Sequence, residues 1–301
     1  MKKRYNKVGT TRTLFIIICL AWPLLQWAVF YLGININSIL MAFQRSIPGS
    51  PDKYWTLENF RRIFIEGFIG EEPLLLQATK NTIVFFLFNF LILSPLNIFV
   101  GYFFYKKIPG TKVFRFIFYL PAIIPGTVMA TLFKYIISPE SSGVLATIFG
   151  AMGVRFPNLL GSSEYAMKTM LVYNAWVGFT GFLITVNSMR RIPTEIIESA
   201  QLDGITPLKE VVFILVPLIW PTIAVGLLMS VMGIFTSSGP ILFFTQGTHG
   251  TYTIAYWLFE KVLTNTNMEY AAAVGIFYTL LGFPLLYITR KLSSKIEAVE
   301  Y

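Results

Sequence analysis

Four carboxylates crowd one polar stretch of an otherwise oily chain. In RIPTEIIESAQLDGITPLKEVVFILVPLIWP, Arg191–Pro221, they are Glu195, Glu198, Asp203 and Glu210, punctuated by Gly204 and by Pro193, Pro207 and Pro217. Acids in this density suit charge pairing with a basic partner. They do not suit anionic lipid headgroups, which attract lysine and arginine. Catalysis finds little support elsewhere. The single histidine, His249, excludes a histidine-based metal site or a histidine-dependent triad within the chain. The serines of GSS, 161–163, therefore lack a base, and no G-x-x-x-x-G-K-[ST] loop is present to cradle ATP phosphates. One cysteine, Cys19, permits no internal disulfide.

A second set of polar residues lies inside apolar runs. Asn89, Ser94 and Asn97 fall in one run and Asn174, Thr180 and Asn187 in another, with Trp176 and Phe179 beside them. Neutral hydrogen-bonding groups in hydrocarbon turn inward, either to bind a neighbouring helix or to line a watery path. Amides beside aromatic faces suit an uncharged, hydroxyl-rich solute; ordinary helix–helix hydrogen bonding is the plainer reading of the same residues. Lys134 is a charge within a run. Near its end, it can snorkel to the headgroups.

The elements that position these groups are membrane spans. Of 301 residues, 55% are hydrophobic and 13% charged, about half the charge of a soluble domain. Six runs reach the length of about 20 residues that crosses a bilayer core: 13–33, 81–105, 113–137, 167–189, 211–235 and 270–289. The basic start MKKRYNK resembles a signal peptide, but the run after it is too long and has no A-x-A-like exit, so it reads as a retained anchor. Most of the 24 basic residues fall in the N-terminus, 106–115, 190–209 and the C-terminus. The positive-inside rule then puts both termini and the acidic stretch in the cytoplasm. The net charge of +9 flanks apolar runs rather than forming a stripe, so nucleic acid is not expected. Between the first two runs, Phe60, Ile63, Phe64 and Gly67 recur at helical spacing and predict a helix on the outer surface.

Within the acidic stretch, Pro193 suits a first helical turn, and Glu195 and Glu198 suit the positive end of the helix dipole. Pro193, Ile196, Ile197 and Ala200 make an apolar stripe; Glu195, Glu198, Ser199 and Leu202 make a mixed face. Gly204 supplies a left-handed end, and Thr206–Pro207 an N-cap and first position of the next helix. Pro217 and Pro221 predict a bend in the span that follows. The short helix offers a face to a partner or lies as an amphipathic connector on the inner leaflet.

The stretch resembles the cytoplasmic EAA loop of permease subunits of bacterial ATP-binding-cassette importers. Glu198-Ser199-Ala200, Asp203-Gly204 and Ile214-Leu215-Val216-Pro217 fall in that pattern's register, with Ser199, Ile205 and Val216 as departures. TLENFRRIF (56–64), KNTIVFF (80–86), FRFIFYLPAIIPGTVMATLFKYI (114–136), NAWVGFTGFLITVNSMRRIP (174–193) and EYAAAVGI (269–276) are similar to the carbohydrate-importing branch that contains the maltose importer. FTQGTHGTYTI (244–254) departs from that branch by lacking a proline. The resemblance implies an all-α polytopic protein, the transmembrane domain of a type I importer with six spans and both termini inside. It implies residues 1–74 as N-terminus, first helix and external segment, 75–295 as the permease domain with a coupling segment at 190–210, and 296–301 as a tail. Glu195, Glu198, Ser199, Ala200, Asp203 and Gly204 would dock into an ATPase, and Asn89, Asn97, Asn174, Trp176 and Phe179 would face the solute. The chain itself would carry no cofactor; ATP and magnesium would sit on two ATPase subunits. The other partners implied are a second permease, an extracytoplasmic binding protein and the bilayer. A secondary carrier or channel, or a membrane assembly subunit without a solute path, are the alternatives. Buried charge or a filter-like segment would mark the first; neither is evident.

Overall fold

The computed structural model describes residues 2–47, 49, 52–70, 74–140 and 143–295, with side chains from Arg12 onward. The expected tail, 296–301, lies outside the described residues. Four unbroken helices are long and apolar enough to cross a membrane: Arg12–Ala42, Leu74–Tyr105, Ala166–Met189 and Met268–Ser293. Two of them extend well past the expected ends, the first by nine residues after 33 and the second by seven before 81, because a helix continues beyond the window that a hydropathy count selects.

The third expected span is not one helix. Thr111–Ile123 and Gly126–Ile137 meet at 109°. Pro125 pushes Ile124 out of the helical region, to φ −78° and ψ 135°, and Pro125 itself sits at ψ 137°. Each half is about 18–20 Å long, short of a bilayer core of about 30 Å. The fifth expected span is also bent, by 77° between Pro207–Leu218 and Trp220–Met232. That bend was anticipated from Pro217 and Pro221, which withdraw two N–H groups from the helical ladder.

The chain divides into two compact units. One comprises the residues up to Ile65 with Lys261–Phe277. It contains an antiparallel hairpin, Gln44–Ser46 with Lys53–Trp55, that pairs Arg45 with Tyr54 and was not expected from the sequence. Asn59 is buried and donates to the carbonyls of Ala42 (3.0 Å) and Gln44 (2.8 Å). Glu269 accepts from Ser46 at 2.8 Å and pairs with Lys53 at 2.9 Å. The expected outer helix begins at Glu58, with Ile63 buried and Phe64 exposed.

The second unit comprises Glu66–Glu260 and the chain from Tyr278 onward. One of its clusters joins Phe133, Met170, Tyr173, Ile241 and Phe244. Another joins Tyr102, Met189, Ile197, Val211 and Leu215. Close approach of two helices depends on Gly101, where a Cβ would stand 3.1 Å from Thr185 Cγ2; beside it Phe104 stacks on Phe182 at 4.5 Å. Small residues permit such approach where lipid supplies no hydrophobic drive between helices. Gly101→Leu is therefore expected to destabilise the purified protein by about 1–3 kcal/mol. Gly150→Ala, on a helix with nothing within 4 Å of the added Cβ, should leave stability unchanged or slightly raised. Thermal unfolding of both variants in one detergent checks the contrast.

Candidate functional site

The acidic stretch folds as a helix, Thr194–Leu202, a left-handed elbow, and the helix that starts at Pro207. Pro193 is the residue before the helix rather than part of its first turn, since its ψ of 135° is extended. Gly204 has φ +75°. The Ile205 N–H donates to Ala200 O at 3.2 Å and the Gly204 N–H to Gln201 O at 3.0 Å, the paired bonds of a Schellman cap. Thr206 takes the N-cap backbone conformation, but its side chain makes no capping bond; its carbonyl accepts from the Glu210 N–H at 2.9 Å.

The two faces separate as their spacing predicts. Ile197 is buried and Ile196 packs beside it in the cluster with Tyr102, Val211 and Leu215. Glu195, Glu198, Ser199 and Asp203 are exposed, and Leu202 is 90% exposed. Among the described residues Glu195, Glu198 and Asp203 form no ion pair. Glu210 departs from expectation. It is 3% exposed, pairs with Lys106 Nζ at 2.7 Å and accepts from the Tyr102 hydroxyl at 3.4 Å. A charge so buried needs a partner, and this one finds it across the fold. Three of the four acids are thus available outside; the fourth is internal.

The amides of the apolar runs converge on a cavity of about 320 Å³, at the lower end of the roughly 300–1,000 Å³ usual for ligand sites. Asn89, Asn97, Asn174, Ser94, Ser230 and Ser237 line it together with Phe85, Phe86 and Leu93, and none of its lining side chains is ionisable. Asn174 Nδ2 donates to Asn89 Oδ1 at 2.7 Å, and Asn89 Nδ2 to Phe85 O at 2.9 Å. Asn97 Nδ2 reaches Gly178 O at 3.2 Å while its Oδ1, buried, has no hydrogen-bond partner among the described residues. Pro95 explains the local backbone. Lacking an N–H, it follows a π turn at Asn89–Leu93 in which Asn89 O receives both the N–H and the hydroxyl of Ser94, the latter at 2.9 Å. A second cavity of about 190 Å³ shares Ser94, Asn97 and Ser230 with the first.

Trp176 and Phe179 do not line the cavity. Trp176 packs on Phe133 at 5.8 Å, against a buried cluster, and Phe179 on Phe118 at 5.8 Å; both are half-buried. Helical spacing put them near Asn174 but could not tell one side of the helix from the next. Ser230 and Ser237 were missed; hydroxyls in MSVMGIFTSSGP were the signal available. Thr253, on the rim, belongs to a loop held by Asn81, whose Nδ2 donates to Gly250 O at 2.7 Å and Tyr252 O at 2.8 Å. Burial, with the Glu260 carboxylate adding to it, pushes the Tyr252 phenol up to about 12. Lys134 is exposed on its helix, as a snorkelling residue would be.

Known proteins resemble this geometry and sequence. The chain is 28% identical over 283 residues to the probable ABC transporter permease protein YurN of Bacillus subtilis, covering 89% of this chain and 92% of that one. It is 23% identical to the arabinooligosaccharides transport system permease protein AraP of the same organism, covering 91% and 86%. A chain in the crystal structure of a bacterial ABC transporter involved in the import of the acidic polysaccharide alginate superposes with a TM-score of 0.81 at 22% identity, covering 97% of this chain and 99% of that one, a likeness of fold. Residues 76–298, most of the chain, match the family described as binding-protein-dependent transport system inner membrane component, and the chain belongs to that family.

Proposed function

We propose that this chain is the permease subunit of an importer that carries a neutral oligosaccharide across the cytoplasmic membrane, driven by ATP hydrolysed on separate subunits. Both termini and 190–210 lie in the cytoplasm. Residues 75–295 form the permease domain, which pairs with a second permease, and 1–74 supply the first helix and an external segment. An extracytoplasmic binding protein delivers the solute. ATP and magnesium are held by two ATPase subunits.

The observation that carries this reading is the helix Thr194–Leu202, mounted by Ile197 on the body while Glu195 and Glu198 face outward with no ion pair among the described residues. A surface of that kind fits a basic groove on a docked ATPase. The cavity supports the solute class. Relatives are named for arabinooligosaccharides, for multiple sugars and for sn-glycerol-3-phosphate. A phosphate or a polyuronate would call for a fixed cation, whereas this lining offers amides and hydroxyls, which both donate and accept to sugar hydroxyls.

Glu198→Lys is expected to leave membrane insertion intact and to abolish retention of the ATPases in an affinity pull-down together with uptake; normal retention and uptake would remove the docking role.

Gly204→Val is expected to impair coupling through the backbone alone, since nothing lies within 4 Å of a Cβ there and the strain comes from φ, at a cost of about 1–2 kcal/mol. Gly204→Asn should transport better than Gly204→Val because asparagine tolerates the left-handed region. Equal, wild-type uptake by both would contradict the elbow argument.

Affinity measured between the cognate binding protein and a panel of oligosaccharides, amino acids and anions should select sugars. Asn97→Ala and Asn174→Ala should then lower uptake of the selected sugar, while Trp176→Ala should chiefly lower stability. Tight binding of an anion with sugars inert would overturn the solute class and leave the permease assignment standing.

A further inference from the structure

We infer that Lys106, Glu210 and Tyr102 form a clamp through which movement of the Thr194–Leu202 helix reaches the cavity wall. The inference rests on the permease reading and adds positioning residues that the docking surface does not contain. Lys106 caps the C-terminus of Ser94–Tyr105, where a cation is favoured by the helix dipole. Glu210 lies in the first turns of the helix beginning at Pro207, where an anion is favoured. Their 2.7 Å pair therefore ties the end of one helix to the start of another, 104 positions apart. The Tyr102 hydroxyl donates to the second carboxylate oxygen, and the Lys106 ammonium stands 5.6 Å from the Tyr102 ring.

What the clamp joins gives it a role. On one side, Tyr102 and Val211, next to Glu210, share a buried cluster with Ile197, the mounting residue of the outward helix. On the other side, Ser94 and Asn97 stand on the same helix as Lys106 and line both cavities. Asn97 lies nine residues from Lys106, about 14 Å along the axis. The chain link from the outward helix, Ile205–Thr206, is extended or turning and transmits little force by itself. The ion pair bypasses it. Glu210 carries only 3% exposure, so the pair cannot open without stranding a charge. The helices it joins are thereby driven to move together.

The test uses the whole complex in nanodiscs with Cys19→Ser and a Ser230→Cys reporter in the cavity, probed with N-ethylmaleimide. ATP with vanadate should change the reporter's modification rate roughly fivefold or more. Glu210→Gln, Lys106→Met and the doubly uncharged Lys106→Met/Glu210→Gln should lose that response while vanadate trapping in the ATPases persists. The exchanged pair Lys106→Glu/Glu210→Lys should regain at least part of it. A merely stabilising pair would predict a full response in every variant that assembles. The doubly uncharged variant leaves no stranded charge, so it guards against simple misfolding. A full response in it, or an exchanged pair no better than the single variants, overturns the clamp alone. No response in the parent complex overturns the coupled-importer reading and the clamp with it.

Discussion

A polar group placed in hydrocarbon must find its partner inside the protein, because water is absent and each unpaired group costs several kcal/mol. Most of this structure follows from that constraint. Asn89 and Asn174 meet because neither can face lipid, and Ser94 turns its hydroxyl onto the Asn89 carbonyl for the same reason. Glu210 takes Lys106 and Tyr102. Groups that water can reach escape the constraint, and Glu195, Glu198 and Asp203 are left exposed. The same rule thus produces a polar interior and an acidic exterior helix from one oily chain.

Proline sets where the spans yield. Pro95, Pro125 and Pro217 each remove an N–H, and the ladder responds with a π turn, a 109° break and a 77° bend respectively. These points are where irregular backbone is tolerated at membrane depth, provided that protein or a cavity covers it. The π turn at Asn89–Leu93 stands on the cavity wall, which is such a place. Bent elements also change angle at low cost compared with straight helices.

The sequence showed some of this and concealed the rest for physical reasons. Four of the six expected spans were legible as single helices, because apolar length is a local property. The left-handed elbow at Gly204 and the buried stripe at Ile197 were legible because both are set within one helical turn. The break at Ile124–Pro125 was hidden by counting hydropathy across a proline that stood in plain view. The hairpin at Gln44–Ser46 and Lys53–Trp55 left no alternating pattern in strands of three residues. Trp176 and Phe179 fall outside the cavity that Asn174 lines, since periodicity gives a face only to within one neighbour. The partner of Glu210 was out of reach because the pair spans distant parts of the chain, and so one acid of four was credited to the wrong surface.

The outward helix itself has only nine residues. Isolated helices of fewer than about 12–15 residues are marginal in water, so this one persists through tertiary contacts and its cap. Burying Ile197 contributes about 1.5–3 kcal/mol, and the Schellman bonds fix the exit. The exposed acids add little to that stability, since charges in water interact weakly. On the proposed docking reading their value lies in recognition: an acidic face orients an approaching basic partner and rejects an acidic one. On that reading, affinity and mechanical grip would come from the rest of the helix surface, where Leu202 stands 90% exposed. A large aliphatic side chain held out beside carboxylates is poorly placed for water and well placed for a partly apolar groove. The apolar stripe anchors the helix to the body; on the proposed docking reading, the acids would select the partner and Leu202 would give that partner something to push against.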